Sequence, residues 1–238
     1  MTDGYVASLP DDCGIHHMWP IAREYMLSKG VDLLHDKVEV ACYAHAVNGG
    51  VKIGADAMSD IGGLFAAGEC AGGPHGADRL GGNMMVTCQV FGAIAGSKAA
   101  AYALRSVRGE ADAESISRMK EMESILYRKA DTEEMFKRLK KETQDSLLVG
   151  RTEEGLRRLA ETVRELSSEL ENSPAAESPN ERNVVLYHGL TAAALMCESA
   201  RRRKESRGAH HRADYPEKSA EYGKPFTLRK SGGAPRIE

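Results

Sequence analysis

Glycine is spread very unevenly along this chain. Thirteen of its 24 glycines fall between Gly49 and Gly96. Such density denies the backbone long regular elements, because glycine loses more freedom on ordering than any other residue. That stretch is therefore expected to hold short elements joined by tight turns. Beyond about residue 108 glycine becomes rare and Glu, Lys, Arg and Leu take over. These residues lose little on entering a helix. The expected fold class is α+β: a small Gly-rich α/β segment followed by a three- to four-helix antiparallel bundle. The boundaries fall at 1–108, 109–208 and a tail at 209–238.

The helical part has the clearer pattern. Leu156, Leu159, Val163, Leu166 and Leu170 repeat at steps of 3, 4, 3 and 4, which puts them on one face of a helix. Asn172-Ser173-Pro174 stops it. Asp131 with Glu134 three residues on reads as a capped start, with Met135, Leu139 and Leu147 along one face to about residue 149. Val184, Val185, Leu190, Leu195 and Met196 are expected on a third helix ending near Gly208. A weaker helix is expected over 111–129.

Upstream, residues 15–29 read as a helix stopped by Gly30. Val38, Val40 and Cys42 alternate as in a strand. Val51 and Ile53 suggest a second short strand, Leu64 to Ala67 a buried one, and 84–105 an Ala-rich helix with Val86, Val90, Ile94 and Ala95 on related turns. Residues 217–238 read as a tail that is either disordered or packed on another domain.

Composition removes several classes of function. The net charge is −3, so there is no global basic field for nucleic acid or an anionic membrane. The run Arg201-Arg202-Arg203-Lys204 reads as a solvated helix end, where cations oppose the negative end of the dipole. No apolar run approaches the ~20 residues of a membrane span, and the N-terminus lacks the pattern of a signal peptide. A cytoplasmic protein is expected. The scattered cysteines Cys13, Cys42, Cys70, Cys88 and Cys197 form no C-x-x-C pair and read as reduced, mostly packed thiols.

The chemistry concentrates between His45 and Gly96. Gly68-Glu69 ends a short apolar run and can offer a carboxylate to ligand hydroxyls. Of the twelve residues Gly72 to Asn83, five are Gly and one is Pro. That pattern fits backbone that must pass close to something or take unusual angles. A helix starts directly afterwards, so its free N–H groups and positive dipole end face whatever the glycines approach. Arg79, within this run, carries a donor fork matched to a carboxylate. His45, ahead of Gly49 and Gly50, is either a donor to a second carboxylate or a loop cap. No dinucleotide fingerprint follows a strand here.

The run from Gly63 through Leu-Phe-Ala-Ala-Gly-Glu-Cys-Ala-Gly-Gly-Pro-His-Gly-Ala-Asp-Arg-Leu-Gly-Gly to Asn83 resembles the second FAD-contacting segment of fumarate reductase, succinate dehydrogenase and L-aspartate oxidase flavoproteins. Ala44-His45 with Gly49-Gly50, Gly150 to Leu156, and Glu205 to Pro216 extend the likeness over about residues 15–216.

That resemblance implies a flavin-dependent oxidoreductase moving a hydride between FAD N5 and an unsaturated (di)carboxylate. It implies Glu69 on the ribityl chain. Gly49, Gly50, Gly81, Gly82, Asn83, Met84 and Met85 would line the flavin site, the last five against the isoalloxazine. Arg79 and His45 would hold the substrate carboxylates.

The pattern departs in three places. Where the family often has His-Tyr/Phe-Thr-Met-Gly-Gly, this chain has His45-Ala46-Val47-Asn48-Gly49-Gly50. Asp78 replaces an Asn before Arg79 and is expected to compete for it, and Met84-Met85 replaces a small-polar and aliphatic pair.

The family's dinucleotide-binding unit and capping domain do not fit ahead of His45. The chain is expected to carry part of a site that needs an N-terminal FAD-binding and capping half as partner. Alone it is expected to be catalytically incompetent, with residues 45–83 less protected than helix 156–170. Further implied partners are an iron–sulfur electron-transfer subunit, through which the chain would lie at the inner face of a membrane, and a second copy of itself. Two alternatives stay open. One is a non-catalytic docking module of a flavoprotein complex. The other is a related flavoprotein, adenylylsulfate reductase-like or urocanate reductase-like, with a different substrate.

Overall fold

The computed structural model describes residues 3–11, 13–42, 44–107, 109–110, 112–231 and 234–237. Contacts divide the chain into two units, Met1–Cys42 and Tyr43–Glu238. The first holds helices α1 (Asp3–Ala7) and α2 (Ile15–Ser28). Gly30 takes φ +80° after α2, and the Val31 N–H returns to the Met26 carbonyl, the wrap expected of a left-handed residue past a helix end. The strand expected at Val38–Cys42 does not form. Val40 is almost wholly exposed, and among the described residues no strand pairs with it. Alternation gives a strand only when a ladder partner is present.

In the second unit, β1 (Val51–Lys52) pairs in parallel with β2 (Ala71–Gly72), Val51 opposite Ala71. The expected buried strand at Leu64–Ala67 reduces to a bridge from Phe65 to Met58. Ala66 is buried there but Leu64 is exposed, because the flanking glycines turn the chain before a ladder can extend. Helix α3 (Asn83–Arg105) follows. Its last turns pack Tyr102 edge-on against Phe65, with ring centres 6.1 Å apart.

The bundle consists of α4 (Ala113–Leu126), α5 (Thr132–Leu147), α6 (Glu153–Asn172) and α7 (Glu181–Arg202). The starts are written locally. Asp112, Asp131, Thr152 and Asn180 each accept a first-turn backbone N–H, the donors a helix cannot satisfy itself. Neighbours run antiparallel. Arg138 on α5 pairs with Glu169 late on α6, and Cys197 late on α7 donates to the Leu156 carbonyl early on α6.

All five residues of the α6 stripe are buried, with Met135, Leu139, Leu186 and Leu190 against them. Of the apolar residues expected on α7, only Leu190 lies in its buried seam. It runs through Leu186, Leu190, Ala193, Cys197 and Ala200, while Val185 and Leu195 face outward. Small residues occupy the seam because the helices approach closely there; bulk alone pointed to the wrong side. Asn183, fully buried, donates to the carbonyls of Ile125 (3.1 Å), Leu126 (3.4 Å) and Arg128 (2.7 Å), closing the end of α4.

Helix α7 stops at Arg202, not near Gly208. The cations at its end are partnered instead of merely solvated. Arg201 meets Glu153, Arg202 meets Glu198, and Arg203 meets Glu205 and the Tyr222 carbonyl. The tail forms a hairpin of β3 (Leu228–Ser231) and β4 (Ala234–Ile237). Arg229 reaches Asp60 in the glycine-rich segment at 2.6 Å, so the packed alternative for the tail is the one realised. The cysteines correct the packed-thiol expectation, since Cys42, Cys70 and Cys88 are exposed and only Cys197 is buried. Among the described residues no helix is long and apolar enough to cross a membrane.

Candidate functional site

The site is assembled by the short parallel pairing of β1 and β2. A Cβ on Gly50 would collide with the Cys70 carbonyl, and one on Gly72 would lie 2.9 Å from the Gly50 nitrogen. Two backbones thus touch where any side chain would separate them. This contact lays the His45–Gly50 loop beside Gly68–Gly72. Glu69 closes it: its carboxylate accepts the Val47 backbone N–H at 2.8 Å. Glu69 and His45 are both exposed.

Gly68–Cys70 forms a single 3-10 turn that packs on α3 beside Cys88. His75 is held to the same helix by Thr87 Oγ1 at 3.0 Å. The chain then reaches α3 through Gly82, left-handed at φ +82°, with no side chain capping the helix start. Gly81 has no protein atom within 4 Å of where its Cβ would lie, and a left-handed angle is not what requires it. Met85 is 70% exposed. Asn83, Met84 and Met85 therefore open α3 with a positive dipole end and open space beside it.

Two polar atoms of this segment are left without a hydrogen-bond partner although buried: Arg79 Nε and Asn48 Oδ1. The Arg79 guanidinium otherwise only grazes the Leu80 carbonyl at 3.4 Å. Asp78 does not play the expected part of competitor. Its carboxylate accepts the backbone N–H of Arg79 at 2.8 Å, a turn contact that fixes the main chain. Asn48 was not among the expected site residues. Its mid-loop position gave no signal, because an Asn before two glycines reads as turn chemistry.

An uncapped helix start with open space beside it fits the flavin half of FAD, which offers carbonyl oxygens and ring nitrogens, while the unpartnered Arg79 donor fits a carboxylate. Comparison with known proteins decides the family. An FAD-binding-domain model matches residues 12–85, and the model of the fumarate reductase flavoprotein C-terminal region matches residues 136–237.

The chain belongs to the fumarate reductase flavoprotein family.

Members of this family are FAD-dependent oxidoreductases. The fumarate reductase flavoprotein of Haemophilus influenzae is 31% identical over 241 residues, covering 94% of this chain and 40% of that protein. An uncharacterised FAD-dependent oxidoreductase of Methanocaldococcus jannaschii is 33% identical over 219 residues, 91% of this chain and 40% of its own length. The quinol fumarate reductase of Escherichia coli superposes with a TM-score of 0.77 at 26% identity, over 97% of this chain and 42% of that one. The chain thus spans about two fifths of the length of these relatives. The fumarate reductase flavoprotein likeness covers both the glycine-rich segment and the bundle.

Proposed function

We propose that this chain supplies the substrate-side half of an FAD site in a fumarate reductase-type flavoprotein, completed by an N-terminal FAD-binding and capping half. The observation that carries the reading is the buried, unpartnered Nε of Arg79 beside the open start of α3. FAD when bound supplies the centre that takes or gives the hydride. The protein's own residues bind and orient. Gly81, Gly82, Asn83, Met84 and Met85 present the α3 terminus to an electron-rich edge. Glu69 offers a carboxylate to ribityl hydroxyls, and Gly49 and Gly50 let that edge approach the backbone. Arg79 and His45 hold the carboxylates of a small unsaturated acid, of which fumarate is the first to test, and stabilise charge developing there.

The division at about residues 108 and 208 belongs to the same proposal: a cofactor-facing segment, a helical bundle and a returning tail. An iron–sulfur partner protein, a second copy of the chain, and a place at the inner membrane face through such a partner are part of this reading. Val47 stands where the family carries a hydroxyl, which keeps a different unsaturated acid as the second reading for the substrate.

The test is to titrate the chain with FAD, following flavin fluorescence and band shape with and without fumarate, then to repeat it with the N-terminal half added. Weak binding alone and tight binding with the half added are expected. Tight binding with a perturbed spectrum by the chain alone would overturn the half-site reading. Arg79→Gln in the reconstituted flavoprotein should cost at least about a hundredfold in fumarate turnover while FAD affinity stays the same.

A further inference from the structure

Gly208 lies far along the chain from the glycine-rich segment, yet it touches it. Its φ is +57°. A Cβ there would meet the Ala77 carbonyl oxygen at 2.5 Å, the Ala77 carbonyl carbon at 2.8 Å and Asp78 Cβ at 2.9 Å. The next residue, Ala209, donates its N–H to the Ala77 oxygen at 3.1 Å. The turn itself is closed by Arg207 and His210, which exchange backbone hydrogen bonds of 2.8 and 3.0 Å.

What lies behind this turn is unusual for a surface loop. Glu205 has 0% exposure. It accepts from Arg203 Nη1 (2.6 Å), Arg207 Nε (2.9 Å), Arg207 Nη2 (3.0 Å) and the Ser219 N–H (2.8 Å). Arg212, also at 0%, forks onto both Asp214 oxygens at 2.8 Å, and reaches Glu153 at 3.2 Å and the carbonyls of Ala200 (2.9 Å) and Arg201 (3.3 Å). Arg151 ties the Leu147 carbonyl (2.8 Å) to that of Ala209 (3.3 Å). The turn is thereby fixed to the end of α5, the start of α6 and the end of α7.

Burying the glutamate and the arginine is costly even though each has its own charged partners, and such a buried ion pair often stabilises no more than packed apolar residues would. Its specific return is one fixed geometry. Here that geometry ends on the Ala77 carbonyl, two residues before Arg79, whose own backbone N–H is fixed by Asp78.

We infer that the Arg207–His210 turn is a strut by which the bundle positions Arg79, with Gly208 as the positioning residue at its tip. The inference deepens the half-site reading and rests on it for its meaning in catalysis; the mechanical part stands without it. The carboxylate contact proposed for Arg79 is local, but its aim is set by the other end of the chain. A displacement of about 1 Å at such a group can cost about a hundredfold in rate.

The test is hydrogen exchange on the chain as it stands, native and Gly208→Ala. Amides of residues 77–83 should exchange at least about tenfold faster in the variant while those of 156–170 stay unchanged. Unchanged exchange at 77–83 overturns the strut. If 156–170 also accelerates, Arg151→Lys decides, since it loosens the turn without adding a Cβ, and the same two readings apply. In the FAD-loaded, reconstituted flavoprotein, Gly208→Ala should raise KM for fumarate about tenfold with FAD affinity unchanged. An equal loss of both would mean a general structural role and overturn the inference. Absence of fumarate turnover in the native flavoprotein would sink the half-site reading and leave the exchange result to judge the strut.

Discussion

Helices α3 and α6 are nearly the same length, 23 and 20 residues. Helix α6 buries six residues; α3 buries none. Yet α3 is the more hydrophobic of the two in composition, with Val86, Val90, Phe91, Ile94 and a run of alanines. The difference is one of partners. α6 is alternately apolar and charged, so its one apolar face finds α5 and α7 within the chain. α3 is apolar on several sides, as suits a helix enclosed all round, and Val90 nevertheless stands 49% exposed. One region carries its own core. The other leaves its apolar sides exposed.

Three measurements would break or sharpen this contrast. The largest effect belongs to α6. Leu166→Ala, at a site with no exposure, should lower unfolding free energy by about 2–5 kcal/mol in a urea titration. A loss below about 1 kcal/mol would mean the seam collapses around the gap and is not tightly packed.

Acid should act next, and on the polar turn more than on the leucine seam. Arg212 holds Asp214 down to about 2, and Arg207 does the same for Glu205. Both bind protons more weakly folded than unfolded, so their stabilisation is complete above the ordinary carboxylate values and drains away as the pH falls towards about 2. His210 is pushed below the usual histidine value by burial, helped by Arg151, Arg203 and Arg212 around it. Its sign is the same: stability begins to fall once the pH drops below the unfolded histidine's value. Urea midpoints from pH 7 to 2.5 should therefore decline in two stages. An Asp214→Asn variant with an unaltered lower stage would assign that stage elsewhere.

The smallest effect belongs to α3. Val90→Ala should change the stability of the chain alone by no more than about 0.5 kcal/mol. A cost comparable to that at Leu166 would show that α3 is already enclosed in solution.

How much of this was legible in the sequence follows the same divide. The start of α5 and the α6 stripe were readable because caps and periodicity are local, and the packing that realises them lies within the chain; the caps Asp112 and Thr152 show only in the structure. The α7 seam was misread because Ala193, Cys197 and Ala200 are small, and only close approach makes a small residue a core residue. The strand at Val38–Cys42 and the one at Leu64–Ala67 were misread because neither alternation nor a short apolar run says whether a partner strand is present. Around the site, the glycine run and the Gly82 helix start were visible. Asn48 and Gly208 were not: Asn48 shows only as a buried oxygen left without a partner, and Gly208 only through its contact with Ala77, 131 residues away along the chain.

Asn183 has a consequence for how the molecule yields. One amide group closes the end of α4 by holding three carbonyls, whereas the first two turns of that helix are exposed throughout. α4 is thus fastened to the core at its tail, while its head is held only by local contacts such as the Asp112 cap. Peeling from Ala113 exposes little and can reverse freely, but it halts at Ile125, where further opening must break a buried amide and the core together. Loss of the first turns of α4 should therefore leave the bundle core untouched.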